Sequence, residues 1–164
     1  MQEILSNQEI EQKINRLAHQ IIENSFEENE IHIGGIVGNG VLLASKLSLI
    51  ITKHSNLKVN PFEIIMNKSE PWSEPITLSS EVDSLKNGFI ILVDDVLNSG
   101  KTMQYALTEI LRFPTKAIKT VALVDRKHRK FPIKADFVGL ELSTTLKERV
   151  EIIFKESEQK AYLV

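Results

Sequence analysis

The chain contains no cysteine among its 164 residues. This absence excludes disulfide bonds, thiolate metal sites and a cysteine nucleophile. It agrees with a reducing compartment, and we expect a cytoplasmic protein. The length predicts a single domain spanning residues 1–164, with enough chain to bury a hydrophobic core.

Long apolar runs and a strong excess of charge are also missing. The most apolar stretch, Val41 to Ile51, is interrupted by Ser45, Lys46 and Ser48, so we expect no segment to span a membrane. The first residues, MQEILSNQEIEQ, are acidic and do not have the pattern of a signal peptide. The formal net charge is −2, which means that any surface for a polyanion must be local.

Helical and strand patterns alternate along the chain. Ser6 and Glu9 have the spacing of a capping box, and apolar residues at helical spacing follow as far as Ile22. Continuous apolar runs at Phe89–Asp94 and Lys119–Asp125 are typical of strands buried on both faces of a parallel sheet. The pattern predicts an α/β fold with a mostly parallel central sheet flanked by helices. The C-terminal residues are expected to form an edge strand or a tail.

The segment FIILVDDVLNSGKT, Phe89–Thr102, joins a buried strand to a helix. Ligands of open α/β sheets lie beyond the carboxyl ends of the strands, where we expect Asp94 and Asp95. Small residues in Asn98–Thr102 allow backbone N–H groups to close around a phosphate at a helix N-terminus. Two adjacent carboxylates would repel that phosphate unless a ribose lay between them and donated its vicinal hydroxyls. The segment therefore predicts a ribose-phosphate site.

Two other interpretations of this segment compete. Gly100-Lys101-Thr102 matches the end of a nucleotide-binding P-loop, but that motif requires glycine at the position of Asp95. The P-loop interpretation therefore fails. In the other alternative the acidic pair, Asp94 and Asp95, only ends a strand, and the residues after it only cap a helix.

FIILVDDVLNSGKT resembles the 5-phosphoribosyl 1-diphosphate (PRPP) motif of the type I phosphoribosyltransferases. LVDRKHRKFPIKADFVG, Leu123–Gly139, and INRLAHQIIE, Ile14–Glu23, resemble segments of the bacterial pyrimidine-operon regulators that are also uracil phosphoribosyltransferases. The resemblance covers nearly the whole chain. It implies the type I phosphoribosyltransferase fold with a small hood, and a homo-oligomer of two or more copies.

By this resemblance, Asp94 and Asp95 would be the catalytic residues that hold the ribose hydroxyls, directly or through Mg²⁺, which makes them the expected metal ligands. The PRPP 5-phosphate would bind to a phosphate loop, whose backbone N–H groups and side-chain hydroxyls would donate hydrogen bonds to it. The residues of that phosphate loop are Asn98, Ser99, Gly100, Lys101 and Thr102. Carboxylates near the ribose would stabilise the positive charge that the sugar carries in the transition state. Mg²⁺ near the diphosphate would stabilise the negative charge of this leaving group.

The turn Gly38-Asn39-Gly40 lies where the resemblance implies a diphosphate-binding loop. The pyrimidine subgroup usually has Thr-Arg-Gly there, so this chain keeps the last glycine and has Asn39 in place of the arginine. Backbone N–H groups can still bind diphosphate, but a cation that would favour the leaving group is missing. This departure bears on the catalytic rate more than on binding. The alternative is a plain glycine turn between a strand and a helix.

Two further segments correspond to parts of the family's site. Asn67–Pro75, which includes Lys68 and Trp72, corresponds to a mobile lid. The alternative is that Trp72 packs on the sheet or at a subunit contact. Phosphoribosyltransferases for 6-oxopurines typically have an aspartate at the position of Asn98. Asparagine cannot take up a ring-nitrogen proton at neutral pH, which weakens hypoxanthine and guanine as substrates. The residues expected to close the base pocket are Thr144, Thr145, Leu146 and Lys147.

The stretch from Arg126 to Lys134 has five basic residues, one histidine and no acid. In the pyrimidine regulators this region and the first helix help to form an RNA-binding face. RNA is a less favoured partner here, because the first helix is acidic and RNA affinity depends on phosphate neutralisation. A solvated connection between two strands is the plainer interpretation. The residues that match the RNA-binding face are Arg16, His19, His128, Arg129 and Lys134.

The leading hypothesis is a phosphoribosyltransferase that moves the 5-phosphoribosyl group from PRPP to a nitrogen base, a pyrimidine such as uracil, and releases diphosphate. The alternative is an RNA-binding regulator that uses the PRPP site as a sensor with little catalysis. A third possibility is an enzyme of the same fold that acts on a different nitrogen nucleophile. Asn39 slightly favours the sensor, whereas the acidic first helix disfavours its RNA-binding form.

Overall fold

The structure, a computed structural model, describes residues 1–143, 145 and 147–164. Strands and helices alternate over most of the chain, as the sequence predicts. In chain order they are β1 (Gln2–Leu5), α1 (Asn7–Asn24), β2 (Glu30–Ile36), α2 (Asn39–His54), β3 (Lys58–Ile65), β4 (Thr77–Leu78), α3 (Val82–Leu85), β5 (Phe89–Leu97), α4 (Lys101–Ile110), β6 (Ala117–Asp125), β7 (Phe137–Glu141), β8 (Val150–Lys155) and β9 (Glu158–Leu163).

Six strands form the central sheet in the order β4-β3-β2-β5-β6-β7. Neighbouring strands are parallel except β4, which pairs antiparallel with β3. β5 is buried on both faces of this sheet. Ile91 and Val93 belong to the core that includes α1 and α2, whereas Ile90 and Leu92 belong to the core that includes α4. The predicted α/β fold with a mostly parallel sheet is confirmed.

The first helix begins as the capping box predicts. The Ser6 hydroxyl accepts a hydrogen bond from the Glu9 N–H at 3.2 Å, and the Glu9 carboxylate accepts one from the Ser6 N–H at 3.2 Å. Such a cap stabilises a helix by about 1 kcal/mol. The apolar face of α1, from Ile10 to Ile21, is buried in the core. Among the described residues, none of the helices combines the length and the hydrophobicity that a membrane-spanning helix needs.

A second sheet, the hood, joins the two ends of the chain. It has three antiparallel strands in the order β1-β9-β8, with Gln2 opposite Leu163. Ile152 and Ala161 of the hood are buried in the same core as α1 and α2. The small hood implied by the resemblance is therefore present. The expectation of an edge strand or tail at the C-terminus was wrong, because β9 is the central strand of the hood and pairs with β8 and with β1 from the opposite end of the chain.

β5 is longer than the sequence predicts. The expected strand ends at Asp94, whereas the observed strand continues to Leu97. Asp94, Val96 and Leu97 all keep register with β6. Val96 and Leu97 also pack against the core, which extends the strand past the acidic pair. The two aspartates therefore lie within the last residues of β5 and not after its end.

Candidate active site

The predicted diphosphate turn and the acidic pair lie side by side at the carboxyl end of the central sheet. Gly38–Gly40 follows β2, and β2 is the parallel neighbour of β5. Asn39 Nδ2 donates a hydrogen bond to Asp95 Oδ2 at 2.9 Å. A Cβ atom on Gly40 would lie 2.7 Å from the Val93 carbonyl oxygen, so the close approach of α2 to β5 requires glycine. The fold thus brings these two predicted parts of the site together.

The turn itself is tighter than predicted. α2 already begins at Asn39, within the predicted turn Gly38-Asn39-Gly40, and the chain reverses at Gly38, whose φ is +91°. The first N–H groups of a helix have no partner within the helix, and they carry the positive end of its dipole. The start of α2 is therefore suited to an anion such as diphosphate.

The phosphate loop turns at Gly100, where φ is +86°. A Cβ atom there would overlap the Ile133 side chain, so the position requires glycine for its backbone and for space. α4 begins at the next residue, Lys101, and its first turn borders a cavity of about 90 Å³. A cavity beside a helix N-terminus and a buried carboxylate can take up a phosphate that is attached to a sugar. The cavity is lined by Asp94, Val96, Leu97, Met103 and the five residues of the phosphate loop.

Arg129 lies in the segment after β6 and holds the phosphate loop in place through hydrogen bonds. Its Nη1 donates to the Asn98 carbonyl oxygen at 2.8 Å, and its Nε donates to the Ile133 carbonyl oxygen at 2.8 Å. Its Nη2 donates to the carboxylate of buried Asp125 at 2.7 Å. The Ser99 carbonyl oxygen accepts two backbone N–H groups of the same segment. Sequence reasoning missed this brace because it joins residues about 30 positions apart through contacts that no local pattern indicates.

The two aspartates of the acidic pair have different surroundings. Asp94 is 3% exposed, and Lys68 Nζ lies 3.2 Å from its Oδ1. Burial raises the pKa of Asp94 to about 7, the Asp95 carboxylate adds to the rise, and Lys68 opposes it. Asp95 is less buried and accepts hydrogen bonds from the Asn39 amide and from the Val96 N–H. Asp94 is therefore balanced between its two protonation states near neutral pH, and any added cation favours its carboxylate form.

Asp94 and Asp95 are residues that fit a Mg²⁺ ion. Mg²⁺ prefers oxygen ligands and keeps several waters, and it is commonly held by one or two carboxylates together with substrate phosphates. Within the described residues, no group of three or more acidic, histidine or cysteine side chains could hold a metal ion by itself. The acidic pair thus fits a metal that shares its coordination with a bound diphosphate.

The segment predicted as a lid, Asn67–Pro75, lies against α4 and the phosphate loop. The Ser69 carbonyl oxygen accepts a hydrogen bond from Lys101 Nζ at 2.9 Å. The same ammonium group lies 5.7 Å from the centre of the Trp72 ring, and this ring is 6.3 Å from that of Tyr105. Trp72 therefore packs on α4, and 62% of it is still exposed. The mobility of this segment stays a prediction.

The predicted base-pocket segment is described only in part. Thr144 and Leu146 lie outside the described residues, whereas Thr145 and Lys147 are exposed. The Thr145 carbonyl oxygen accepts a hydrogen bond from Arg126 Nη2 at 3.1 Å. Sequence reasoning counted Arg126 only as part of the basic stretch, but this residue is 7% exposed. Its position directly after a buried strand could have indicated a buried role.

The five predicted RNA-binding residues lie on two parts of the fold. Arg16 and His19 belong to α1, whereas His128, Arg129 and Lys134 follow β6. Arg16 and Lys134 are exposed. Arg129 instead directs its guanidinium to the phosphate loop and to Asp125. RNA binding by these residues stays a prediction.

Comparisons with known proteins agree with this geometry. Residues 1–153 match the family described as "Phosphoribosyl transferase domain". "Bifunctional protein PyrR" of Herpetosiphon aurantiacus is 34% identical over 160 residues, which cover 94% of this chain and 90% of that protein. The protein of the same name from Clostridium acetobutylicum is 34% identical over 159 residues, which cover 93% and 89%.

Solved structures of similar shape include two purine enzymes. The hypoxanthine phosphoribosyltransferase of Trypanosoma cruzi superposes with a TM-score of 0.78 at 18% identity, covering 92% of this chain and 85% of that one. A hypoxanthine-guanine phosphoribosyltransferase from Bacillus anthracis gives a TM-score of 0.71 at 22% identity, covering 87% and 83%. At these identities the likeness concerns the fold alone.

The fold is that of the type I phosphoribosyltransferases, and the chain belongs to the phosphoribosyltransferase family of pentosyltransferases. Within this family it is similar over most of its length to the bacterial proteins named Bifunctional protein PyrR. The predictions of family, fold and enzyme class are therefore confirmed. The roles of the individual site residues stay predictions.

Proposed function

We propose that this protein transfers the 5-phosphoribosyl group from PRPP to a pyrimidine base such as uracil and releases diphosphate. The observation that carries the proposal is the position of the acidic pair. Asp94 lines the cavity of the phosphate loop, and Asp95 contacts Asn39 at the start of α2. A ribose held by the pair would have a phosphate-binding helix N-terminus on either side. The similarity to the PyrR proteins supports a pyrimidine acceptor.

In this reaction a ring nitrogen of the base attacks C1 of the ribose. The new C–N bond forms as the C–O bond to diphosphate breaks, diphosphate leaves with the electron pair, and the ring-nitrogen proton passes to solvent. Asp94 and Asp95 hold the ribose hydroxyls and stabilise the positive charge that develops on the sugar. Mg²⁺, when held by these carboxylates together with PRPP, supplies neutralisation of the charge on diphosphate.

Two helix N-termini share the anionic groups of PRPP. Backbone N–H groups at the start of α4 bind the 5-phosphate, with the Ser99 and Thr102 hydroxyls as further donors. Backbone N–H groups at the start of α2 bind the diphosphate. Asn39 brings no charge to that end, whereas Lys68 brings an ammonium group to 3.2 Å from Asp94. We assign to Lys68 the cationic role that the arginine of Thr-Arg-Gly has in the pyrimidine subgroup.

A PRPP-sensing regulator that binds RNA is the second candidate function. The similarity to PyrR proteins and the uncharged Asn39 favour it. Two observations disfavour RNA binding. The Arg129 guanidinium already binds the phosphate loop, and the chain has a net charge of −2, whereas RNA affinity depends on neutralising phosphates. Phosphoribosyl transfer is therefore the function that the geometry supports best.

A turnover assay separates the two functions. Purified protein with Mg²⁺ and PRPP is incubated with uracil, adenine, guanine, hypoxanthine or orotate, and diphosphate release is measured. Release with uracil and not with the purines supports the proposal. No turnover with any base, together with thermal stabilisation by PRPP, contradicts transfer and favours the sensor. Salt-dependent binding of structured RNA then tests the sensor itself.

A further inference from the structure

Lys101 joins the phosphate loop to the predicted lid, Asn67–Pro75. It is the first residue of α4 and lines the cavity of the phosphate loop. Its ammonium group nevertheless turns to the lid, where it donates a hydrogen bond to the Ser69 carbonyl oxygen at 2.9 Å. It also lies 5.7 Å from the centre of the Trp72 ring. A cation beside a phosphate site is thus held by two uncharged groups.

The residue before Ser69 fastens the same lid to the acidic pair. Lys68 Nζ lies 3.2 Å from Asp94 Oδ1. Two adjacent lid residues therefore contact the two halves of the proposed PRPP site, which are the acidic pair and the phosphate loop. PRPP acts on both contacts, because its ribose hydroxyls need the Asp94 carboxylate and its 5-phosphate attracts the Lys101 ammonium group.

Hydrogen bonds within the lid make it a compact unit. The Asn67 side-chain oxygen accepts from the Ser69 N–H at 3.1 Å and from the Glu70 N–H at 3.0 Å. The Glu70 carbonyl oxygen accepts from the Ser73 N–H at 2.9 Å and from the Ser73 hydroxyl at 2.7 Å. Local turns of this kind hold the backbone together. A displacement of Ser69 therefore carries its neighbours with it.

We propose that Lys101 couples the phosphate loop to the lid: a 5-phosphate in the loop draws the ammonium group away from Ser69 and Trp72, and the lid is released. The relative strengths of the contacts favour this exchange. A hydrogen bond to a neutral carbonyl group and a cation–π contact with an exposed ring are both weak. An ammonium group and a phosphate dianion form a charge-assisted pair, which is stronger.

Release of the lid has a consequence for the diphosphate end of the site. When Ser69 moves, Lys68 is free to leave Asp94 and to approach diphosphate, its proposed partner during transfer. Lys101 is therefore a positioning residue for Lys68, because it acts on the diphosphate only through the lid. This inference rests on the proposed phosphoribosyl transfer and adds the residue through which the 5-phosphate controls the lid.

The fluorescence of Trp72 tests the coupling, because Trp72 is the only tryptophan of the chain. Its quenching by acrylamide is measured as ribose 5-phosphate is added, and calorimetry measures binding of the same ligand. Trp72 is 62% exposed and packs on Tyr105, so its release leaves room for a rise in quenching. We expect this rise with saturating ribose 5-phosphate. Ribose at the same concentration lacks the phosphate and should leave the quenching unchanged.

Lys101→Met removes the ammonium group and keeps an unbranched side chain. Without ligand, the quenching of Trp72 in this variant should already equal that of the wild-type protein saturated with ribose 5-phosphate, and the ligand should not raise it further. We also expect about 10-fold weaker binding of ribose 5-phosphate. Lys101→Arg keeps a cation and should retain the wild-type response. Lys46→Met should behave as the wild type and is the matched control, since Lys46 Nζ lies 5.9 Å from the Phe154 ring of the hood.

The other outcomes count against the coupling. A full rise in quenching when Lys101→Met is saturated would show that Lys101 only binds phosphate. A response lost in Lys101→Arg as well would assign it to the size of the side chain and not to its charge. Binding of ribose 5-phosphate to the wild-type protein with unchanged quenching overturns the coupling and leaves the phosphoribosyl site in place. Binding of neither ribose 5-phosphate nor PRPP overturns the site and the coupling together.

Discussion

The side-chain amide of Asn39 donates one hydrogen bond to the Asp95 carboxylate at 2.9 Å and a second to the Ile152 carbonyl oxygen at 2.8 Å. One amide group therefore joins the start of α2, the acidic pair on β5 and the hood. The Asn39 nitrogen has two protons, and these two bonds use both of them. The Asn39 side chain thus has no donor left for diphosphate, which is left to the backbone N–H groups of α2 and to Lys68.

Asn39→Ala removes both of these hydrogen bonds. We expect the free energy of unfolding to fall by about 1–3 kcal/mol, because a carboxylate and a carbonyl group lose a partner in a partly buried place. Urea denaturation measures the change. Asn60→Ala is the matched control, since Asn60 Nδ2 donates to the Glu30 carboxylate at 2.6 Å on the surface. Its cost should stay below about 0.5 kcal/mol, and equal costs in the two variants would contradict the bridging role of Asn39.

Gly100→Ala and Gly38→Ala form a second matched pair. Both glycines have positive φ, +86° and +91°, but only Gly100 has a neighbour, Ile133, in the space that a Cβ atom would take. Gly38→Ala should cost about 1–3 kcal/mol of unfolding free energy from backbone strain alone, because φ +91° with ψ −133° is a conformation almost confined to glycine. Gly100, at φ +86° and ψ 0°, has the milder left-handed conformation, but its Cβ atom would also overlap Ile133. Gly100→Ala should therefore cost about 2–4 kcal/mol and, unlike Gly38→Ala, move the phosphate loop and weaken PRPP binding. Chemical denaturation and titration with PRPP measure both effects, and unchanged stability of Gly100→Ala would show that the loop is not tightly packed.

The raised pKa of Asp94 predicts how the stability of the ligand-free protein depends on pH. The pKa in the folded protein is about 7, against 3.8 for an ordinary aspartate, so folding favours the protonated form. Stability is therefore lost as the pH rises from the lower value through the higher one. Asp94→Asn removes this loss, and its gain in unfolding free energy should be about 2 kcal/mol larger near pH 8 than near pH 5. A gain that does not depend on pH would contradict the shifted pKa.

Lys68→Met removes the ammonium group next to Asp94. The charge of Lys68 lowers the pKa of Asp94, so its loss should move the pH dependence of Mg²⁺-PRPP binding to higher pH. We also expect about 10-fold weaker PRPP binding, because the loss leaves the diphosphate without this cation. Lys53→Met is the control, since Lys53 is exposed in the last turn of α2. Calorimetric titrations at several pH values measure both effects, and identical behaviour of the two variants would remove Lys68 from the site.

Local patterns predicted much of this molecule. Ser6 and Glu9 form their capping box, β5 is buried on both faces, and Gly100 turns the phosphate loop as its motif requires. In each case the cause lies within a few neighbouring residues. A short stretch of sequence is enough to predict the hydrogen bonds of a helix cap, the burial of an apolar strand and the left-handed backbone of a glycine turn.

The parts that the sequence did not predict depend on contacts between distant residues. β1 is only four residues long and pairs with β9 from the other end of the chain, so no local pattern indicated it, and the hood was expected from the resemblance alone. Arg126 and Arg129 belong to a stretch that looks like a solvated surface, yet their guanidinium groups turn inward to hold Asn98. No periodicity indicates such a direction for a charged side chain, because it is decided by which carbonyl groups the tertiary fold leaves without a donor.

The central claim is that the acidic pair and the phosphate loop bind PRPP. Isothermal titration of PRPP in the presence of Mg²⁺ tests it most directly, with the wild-type protein compared with the double variant Asp94→Ala, Asp95→Ala. Glu109→Ala, which changes a partly exposed acid elsewhere on α4, is the control for loss of negative charge. We expect Mg²⁺-dependent binding that is at least about 100-fold weaker in the double variant and unchanged in the control. Equal PRPP affinity in the wild-type protein and a folded double variant would contradict the assignment of the site.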